Sequence, residues 1–261
     1  MFSLTSDSLS ARLRPLQKAI TGSDLPPRVI EFGPWLPDRG ILANPGCLEA
    51  KNVIPQIDHY APVNGLSSVS TALTARGRGG LAVRGSDGVV SIFAADISKL
   101  YKLVAGTFND VSKSGGYTTA EDFGTEFVLW GNKVIATNYT DAVQIYNLSS
   151  SSLFADMITS TLKPKARHVA VVGDFVMLGG TNDATDGEVP NRAWWSKIND
   201  ETNFDPAEST LCDFNDFPSG GWVQKIVGLS RFCLVFFDTE IWRGQFVGSP
   251  RIFRFDIIEK N

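Results

Sequence analysis

One motif recurs four times along this chain, each time ending in an aromatic residue within a short apolar strand. The four aromatic residues are Tyr101, Tyr146, Trp195 and Trp242, and they stand 45, 49 and 47 residues apart. Blades of β-propellers repeat at roughly 40–50 residues. The spacing therefore predicts an all-β fold, an irregular β-propeller-like domain with about four visible blades, in which these four residues occupy equivalent strands.

A tight turn between two apolar runs precedes each aromatic strand. Gly131-Asn132 and Gly173-Asp174 each join two such runs. Gly-Asn and Gly-Asp supply the positive φ that two-residue hairpins require. Ser86-Asp87-Gly88 and Ser230-Arg231 take the same place in the other two repeats. Each repeat is therefore predicted to run as strand, hairpin, strand, longer loop and aromatic strand.

Several of these runs are apolar at nearly every position instead of alternating. The runs are 169–172, 175–178 and 232–237. Strands covered on both faces show this pattern, as the inner strands of a blade are covered by the adjacent blades. A β-sandwich would show clearer alternation, because one face of each sheet meets water. We expect 232–237 to be the most buried run of the chain.

The repeats divide the chain into segments. Residues 1–28 are predicted to form an N-terminal docking arm, and 29–261 the propeller-like domain. Within that domain, the proline-rich stretch 29–79 is predicted to wrap the surface, since its prolines exclude central strands, and 80–261 form the blades. Residues 251–255 are apolar and aromatic, and they predict a partial fifth strand. Either the chain is part of a longer one, or another chain completes this last blade.

The arm itself has a mixed pattern. Leu9, Leu13, Leu16 and Ile20 are spaced as on one helical face, but Pro15 interrupts the pattern. The N-terminal residues lack the basic and apolar regions of a secretory signal. No run of 18 apolar residues predicts a membrane span.

Charge and cysteine content exclude some functions. The chain has 24 basic and 28 acidic residues, a formal net charge of −4, which argues against strong nucleic-acid binding. The three cysteines are Cys47, Cys212 and Cys233, and none of them forms a C-x-x-C motif. They are interpreted as reduced, mostly buried thiols of a protein made in the cytoplasm.

Recognisable catalytic motifs are lacking. The two histidines, His59 and His168, belong to no metal or nucleophile motif and are interpreted as structural. The glycine-rich stretch 77–80 precedes a strand, so it lacks the helix N-terminus that phosphate loops use. We therefore predict no catalytic residue, no cofactor and no metal.

The best polar candidate is the acidic loop 181–188. Its carboxylates, Asp183, Asp186 and Glu188, could ligate a hard cation such as Ca²⁺. Their spacing does not match an EF-hand, and a solvated insertion in the third blade is favoured. The same interpretation applies to the further acidic positions Asp200, Glu201, Asp205, Asp213 and Asp216.

A propeller-fold carbohydrate-active enzyme is the alternative, since some propellers hydrolyse glycans with paired carboxylates. Ser86-Asp87-Gly88 lacks the spacing and the Trp of sialidase-type turns. Trp194 and Trp195 could suggest a sugar platform, but neighbouring strand residues point to opposite faces, so at least one should pack in the core. A generic protein-interaction propeller is the third possibility.

Short stretches spread over most of 30–255 resemble the phage tail nozzle family, also called tail tubular or packaged-DNA stabilisation proteins. The stretches are NVIP at 52–55, YAP at 60–62, IFAA at 92–95, LYKL at 100–103, NRAWWS at 191–196, ETNF at 201–204, GSP at 248–250 and FRF at 253–255. They are strand-and-turn patterns, and none of them is a catalytic signature.

The resemblance implies a structural protein of the virion tail, synthesised in the host cytoplasm. It implies a homo-hexamer that rings the DNA channel below the portal and adaptor rings and contacts tail fibre or tail needle proteins. Packaged DNA would pass through the channel without specific binding, and no membrane would be involved. Members of the family are usually longer than this chain, so the resemblance says nothing about the distal part of the nozzle.

Overall fold

The computed structural model describes residues 33–260 except Asp58, Asn64 and Leu66. The chain divides into two compact units, Met1–Ser67 and Ser68–Asn261, here called the N-terminal unit and the blade unit. The predicted arm, 1–28, lies outside the described residues. No described helix is long and apolar enough to cross a lipid bilayer.

The described part of the N-terminal unit contains one small hairpin and one closed loop. Strand β1 (Val53–Pro55) pairs with β2 (Tyr60–Pro62) in antiparallel register. Upstream, a loop between Leu36 and Cys47 includes the 3₁₀ turn Ile41–Ala43. The Leu36 amide donates to the Cys47 carbonyl at 2.9 Å, so the two ends of the loop are joined.

The blade unit consists of four four-stranded antiparallel sheets, each with its strands in chain order. Blade 1 contains β3 (Gly79–Arg84), β4 (Val90–Ala95), β5 (Leu100–Val104) and β6 (Thr107–Asp110). Blade 2 contains β7 (Glu126–Trp130), β8 (Lys133–Thr137), β9 (Gln144–Asn147) and β10 (Ala155–Asp156). Blade 3 contains β11 (Lys165–Val172), β12 (Phe175–Asp183), β13 (Gly187–Trp195) and β14 (Asp213–Asp216). Blade 4 contains β15 (Val223–Gly228), β16 (Phe232–Phe237), β17 (Glu240–Gly248) and β18 (Ile252–Lys260).

The predicted propeller-like fold is confirmed. The first strands of successive blades pack on one another, β3 on β7, β7 on β11 and β11 on β15. Tyr101, Tyr146, Trp195 and Trp242 all lie in the third strand of their blades. Among the described residues of 80–255, the only helix is the 3₁₀ turn Glu208–Thr210. The repeat in the sequence is therefore a repeat of blades.

The glycine hairpins form as predicted. Gly131 and Gly173 each have a φ of 56° at the first position of a two-residue turn, between β7 and β8 and between β11 and β12. At Gly173 a side chain would also meet the Ser230 carbonyl oxygen at 2.9 Å. Glycine is needed there both for the turn and for the close approach of blade 4.

Three hydrophobic clusters fill the spaces between successive blades. Trp194 belongs to the cluster between blades 2 and 3, and Trp195 to the cluster between blades 3 and 4. Each ring is at most 2% exposed. The prediction that at least one of them packs in the core is confirmed. Both are buried because adjacent residues of a strand lie on opposite faces of the blade, and each face of blade 3 is covered by a neighbouring blade.

The prediction of a partial fifth strand at 251–255 is wrong. These residues begin β18, which pairs with β17 from Ile252↔Gly248 to Lys260↔Glu240 and is the outer strand of blade 4. The error arose because the first three outer strands are short, between two and four residues. A nine-residue outer strand therefore looks in the sequence like the start of a new blade.

The prediction that 232–237 is the most buried run is also wrong. In β16 the exposure alternates: Cys233 and Val235 are fully buried, but Phe232 is 37% exposed. The fully covered strand is β12, where Phe175–Thr181 are all buried. The physical reason is that blade 3 covers only one face of blade 4, and no extensive contact joins β15 to β3 among the described strands.

Candidate functional site

An ionic cluster joins the first strands of three blades. Glu126 opens β7, and its Oε1 lies 2.8 Å from His168 Nδ1 on β11 and 2.9 Å from Lys225 Nζ on β15. Its Oε2 accepts a hydrogen bond from the Val169 amide at 3.3 Å. One carboxylate therefore connects blades 2, 3 and 4 where their first strands are packed side by side.

The electrostatics of this cluster favour an ionised carboxylate. Burial by itself would raise the pKa of Glu126, but hydrogen bonds from His168 and the charge of Lys225 hold that pKa below its usual value. His168 Nε2 is buried without a hydrogen-bond partner among the described residues. The arrangement is that of an interblade clamp, since its ionic contacts run between strands of three different blades.

Arg167, one residue before this histidine, is stacked between two aromatic rings. Its guanidinium carbon lies 4.5 Å from the centroid of Phe123 and 5.0 Å from that of Trp222. Trp222 is 41% exposed and directly precedes β15, the first strand of blade 4. The stack fixes the linker between blades 3 and 4, and cation–π contacts of this kind contribute about 0.5–1 kcal/mol at exposed sites.

The acidic loop is held by an arginine that sequence reasoning missed. Arg192 on β13 is 3% exposed, and its Nη1 lies 2.7 Å from Asp186 Oδ2 and 3.6 Å from Asp183 Oδ2. Its Nε and Nη2 form a two-point contact with Asp216 at 2.6 and 2.8 Å. Glu188 instead accepts a hydrogen bond from Tyr139. The three carboxylates of 181–188 therefore face cations and donors already within the protein.

The other acidic candidates also have structural partners. Glu201, 4% exposed, accepts hydrogen bonds from Trp130 Nε1 and Lys133, so it ties blade 3 to blade 2. Asp205 accepts the Thr161 and Leu162 amides, and Asp200 and Asp213 accept the nearby backbone amides of Thr202 and Phe214. Among the residues that the structure describes, no group of three or more His, Cys, Asp or Glu residues is arranged to hold a metal ion.

The remaining candidates from the sequence are His59, the glycine-rich stretch 77–80 and the cysteines. His59 lies in the N-terminal unit, where it lines an open groove of 760 Å³ with Trp35 and Tyr60. In the stretch 77–80, Gly79 begins β3 and packs directly on the Thr125 backbone, which leaves no room for a side chain. Cys212 and Cys233 are buried free thiols, and burial raises the pKa of each to about 12.

A cavity of 290 Å³ opens between blades 3 and 4 at the hairpin end. Its apolar wall includes Phe175 and Phe246, whose ring centroids are 5.4 Å apart. Asp174 and Arg231 stand on the two hairpin turns that border it, and the Gly173 amide donates to the Leu229 carbonyl at 3.1 Å. We call this the blade 3–4 cavity.

The face of blade 4 that points away from blade 3 carries an uncovered apolar strip. Val227 and Phe232 are 40% and 37% exposed, and Leu234, Phe236 and Ile241 are partly exposed. Strand register places these five residues on one face, which we call the blade 4 end face. Its polar neighbours include Arg243 and Arg254, both paired with Asp256. An exposed apolar strip with a polar rim is typical of an interaction surface.

No family model matches this chain, and no curated protein matches it in sequence. Among solved structures it is similar to the crystal structure of the N-terminal domain of Nup159, with 11% identity, a TM-score of 0.36, and coverage of 68% of this chain and 47% of that one. It is also similar to the S. cerevisiae complex of Dbp5 L327V with Nup159, Gle1 H337R, IP6 and ADP, with 11% identity, a TM-score of 0.35, and coverage of 68% and 46%. The chain thus spans about half the length of these structures. The fold assignment rests on its own strand pairing.

Proposed function

We propose that this chain is a non-catalytic structural subunit of a short-tailed phage virion, a tail nozzle component that forms a ring around the DNA channel. Following the family resemblance, the ring has six copies, lies below the portal and adaptor, contacts tail fibre or tail needle proteins and helps to retain and deliver packaged DNA. DNA passes through it without sequence-specific binding.

The blade 4 end face carries this proposal. Val227 and Phe232 remain exposed on an ordered sheet because no further blade of the described chain packs on them. Contacts between identical subunits that use two different surfaces close into a ring when the rotation allows. A subunit of a ring requires an apolar surface that only the next subunit covers, whereas a self-contained propeller does not.

The polar side chains of the blade unit are consistent with a structural role. The partly buried carboxylate of Glu126 and the buried carboxylates of Asp183 and Glu201 each face a basic side chain on another strand or another blade. Such pairs hold blades in register. A glycosidase would need two carboxylates that face a substrate-sized cleft.

The test is the mass of the purified protein in solution. We expect a concentration-dependent ring of the wild-type chain, and loss of that ring in Phe232→Asp and Val227→Asp. The matched control is Leu153→Asp in a loop of blade 2, where Leu153 is 49% exposed and away from the end face. The control should assemble as the wild type does.

Two results would contradict the proposal. The first is a wild-type chain that stays monomeric at high concentration, which would favour a generic interaction propeller. The second is a phage deleted for this chain whose particles still retain their DNA. Hydrolysis of a glycan by the purified protein would instead support the carbohydrate-active alternative.

A further inference from the structure

We propose, resting on the ring function above, that the closed loop between Leu36 and Cys47 of one copy inserts into the blade 3–4 cavity of the next copy. The loop is the plug, and the cavity beside the blade 4 end face is its socket. The partner is therefore a second copy of this chain.

The socket is apolar inside and carries one charge of each sign on its border. Phe175 is 3% exposed and forms the floor, while Phe246 is 40% exposed and forms one side. Asp174 and Arg231 border the opening, and neither forms an ion pair within the described part of the chain. A ligand that fits this cavity combines an apolar group with both an anion and a cation.

The plug is held in shape but buries almost nothing at its tip. The Asn44 side chain donates to the Leu36 carbonyl at 2.8 Å, and the Cys47 amide donates to the Pro34 carbonyl at 2.9 Å. At the tip, Ile41 is 80% exposed and Leu42 is fully exposed. A closed loop that presents two large aliphatic side chains to water is a typical recognition element.

The charges of the plug are complementary to those of the socket. Asp38 and Arg39 precede Ile41, are exposed, and have no ion-pair partner within the described residues. When the aliphatic tip packs on the phenylalanine floor, Asp38 can pair with Arg231 and Arg39 with Asp174. Opposite charges around an apolar centre set the orientation of a contact and suppress wrong partners.

The socket is also continuous with the blade 4 end face. Arg231 directly precedes Phe232, and Gln245, which borders the cavity, pairs with Phe232 in the sheet. One neighbouring copy can therefore cover both surfaces at once. This continuity is why the same assembly would hide the exposed strip and fill the cavity.

A charge reversal tests the pairing of plug and socket. We expect Arg231→Asp and Asp38→Arg each to weaken association at least about tenfold in sedimentation, because each places like charges together. The chain with both substitutions restores the opposite signs and should recover wild-type assembly. Both positions are exposed, so all three variants should keep the wild-type melting temperature.

A mixing experiment tests that the contact is between copies. The Arg231→Asp chain keeps an intact plug, and the Asp38→Arg chain keeps an intact socket. In the mixture, opposite charges meet at both kinds of contact, the intact plug in the intact socket and the reversed plug in the reversed socket. We therefore expect rings that contain both chains, whereas each variant alone is monomeric.

Three outcomes separate the possibilities. Rings that persist unchanged in both single variants would overturn the plug and socket while leaving the ring function in place. A double variant that assembles no better than the single ones would also overturn it. A wild-type chain that never assembles would remove the ring function and this contact together.

Discussion

Glu126 Oε1 and His168 Nδ1 lie 2.8 Å apart on the first strands of two neighbouring blades, at residues 42 positions apart in the chain. The pair is partly shielded from water, with 22% of the glutamate side chain and 12% of the histidine side chain exposed. Since Lys225 of blade 4 contacts the same oxygen, a single carboxylate holds three of the four blades.

This relationship predicts a stability that depends on pH. Glu126→Gln removes the charge from the cluster, and we expect a loss of about 1–3 kcal/mol in the free energy of unfolding at pH 7. Because the pKa of Glu126 is lowered in the folded state, its contribution is present above its unfolded pKa and is lost as pH falls through its folded pKa.

The measurement is chemical denaturation of both proteins between pH 7 and pH 3, at a protein concentration below that at which the chain assembles. The difference between wild type and Glu126→Gln should shrink at the acidic end. The matched control is Glu259→Gln at an exposed position of β18, which should match the wild type throughout. A difference independent of pH would show that the charge of Glu126 is not what stabilises the cluster.

Replacement of Arg192 should lower the free energy of unfolding more than replacement of Glu126 does. Arg192→Met removes the cation that faces Asp183, Asp186 and Asp216, and breaking a buried ionic group by removing one partner costs about 3–5 kcal/mol. Its guanidinium carbon also lies 3.9 Å from the centroid of Phe214, so stacking is lost as well. Thermal and urea unfolding measure the loss, with exposed Arg251→Met as the control.

The same site yields a test of cation binding. Since Asp183 and Asp186 already face Arg192 and Glu188 accepts a hydrogen bond from Tyr139, millimolar Ca²⁺ should leave the melting temperature of the wild type unchanged. A rise that saturates with Ca²⁺ would instead show that the loop 181–188 is a cation site. Mg²⁺ at the same concentration controls for ionic strength.

Two leucines on second strands predict unequal losses from the same substitution. Leu178 on β12 is fully buried in the cluster between blades 2 and 3, and Leu178→Ala should cost about 2–5 kcal/mol. Leu234 on β16 is only partly buried on the blade 4 end face, so Leu234→Ala should cost clearly less in the monomer. Equal losses in dilute protein would mean that the end face is covered after all.

The repeat of blades could be predicted from the sequence because its signals are local. The tight turn and the aromatic residue of the third strand lie within one blade, as for Gly131 and Tyr146, so the recurrence of the aromatic residues at 45–49 positions appears directly in the sequence. Tyr101 and Trp242 lie in equivalent strands for this reason.

The burial of each strand could not be read in the same way. Residues 175–178 and 232–237 are both continuously apolar, yet the first run is covered on both faces and the second on one. The apolar residues of a strand show which faces it can bury. Which faces are covered depends on whether a neighbouring blade packs on them, and this is set by the arrangement of all the blades.

The ionic contacts were likewise decided only by the tertiary structure. Glu126 meets Lys225 across 99 positions of the chain, and Asp216 reaches Arg192 across 24. The sequence does not show whether a carboxylate faces water, a metal or an arginine. The partner of a carboxylate depends on which strands the fold brings together and not on the spacing of residues along the chain. The chain alone determined the blades, and their packing determined which charges and which apolar faces remain available for another molecule.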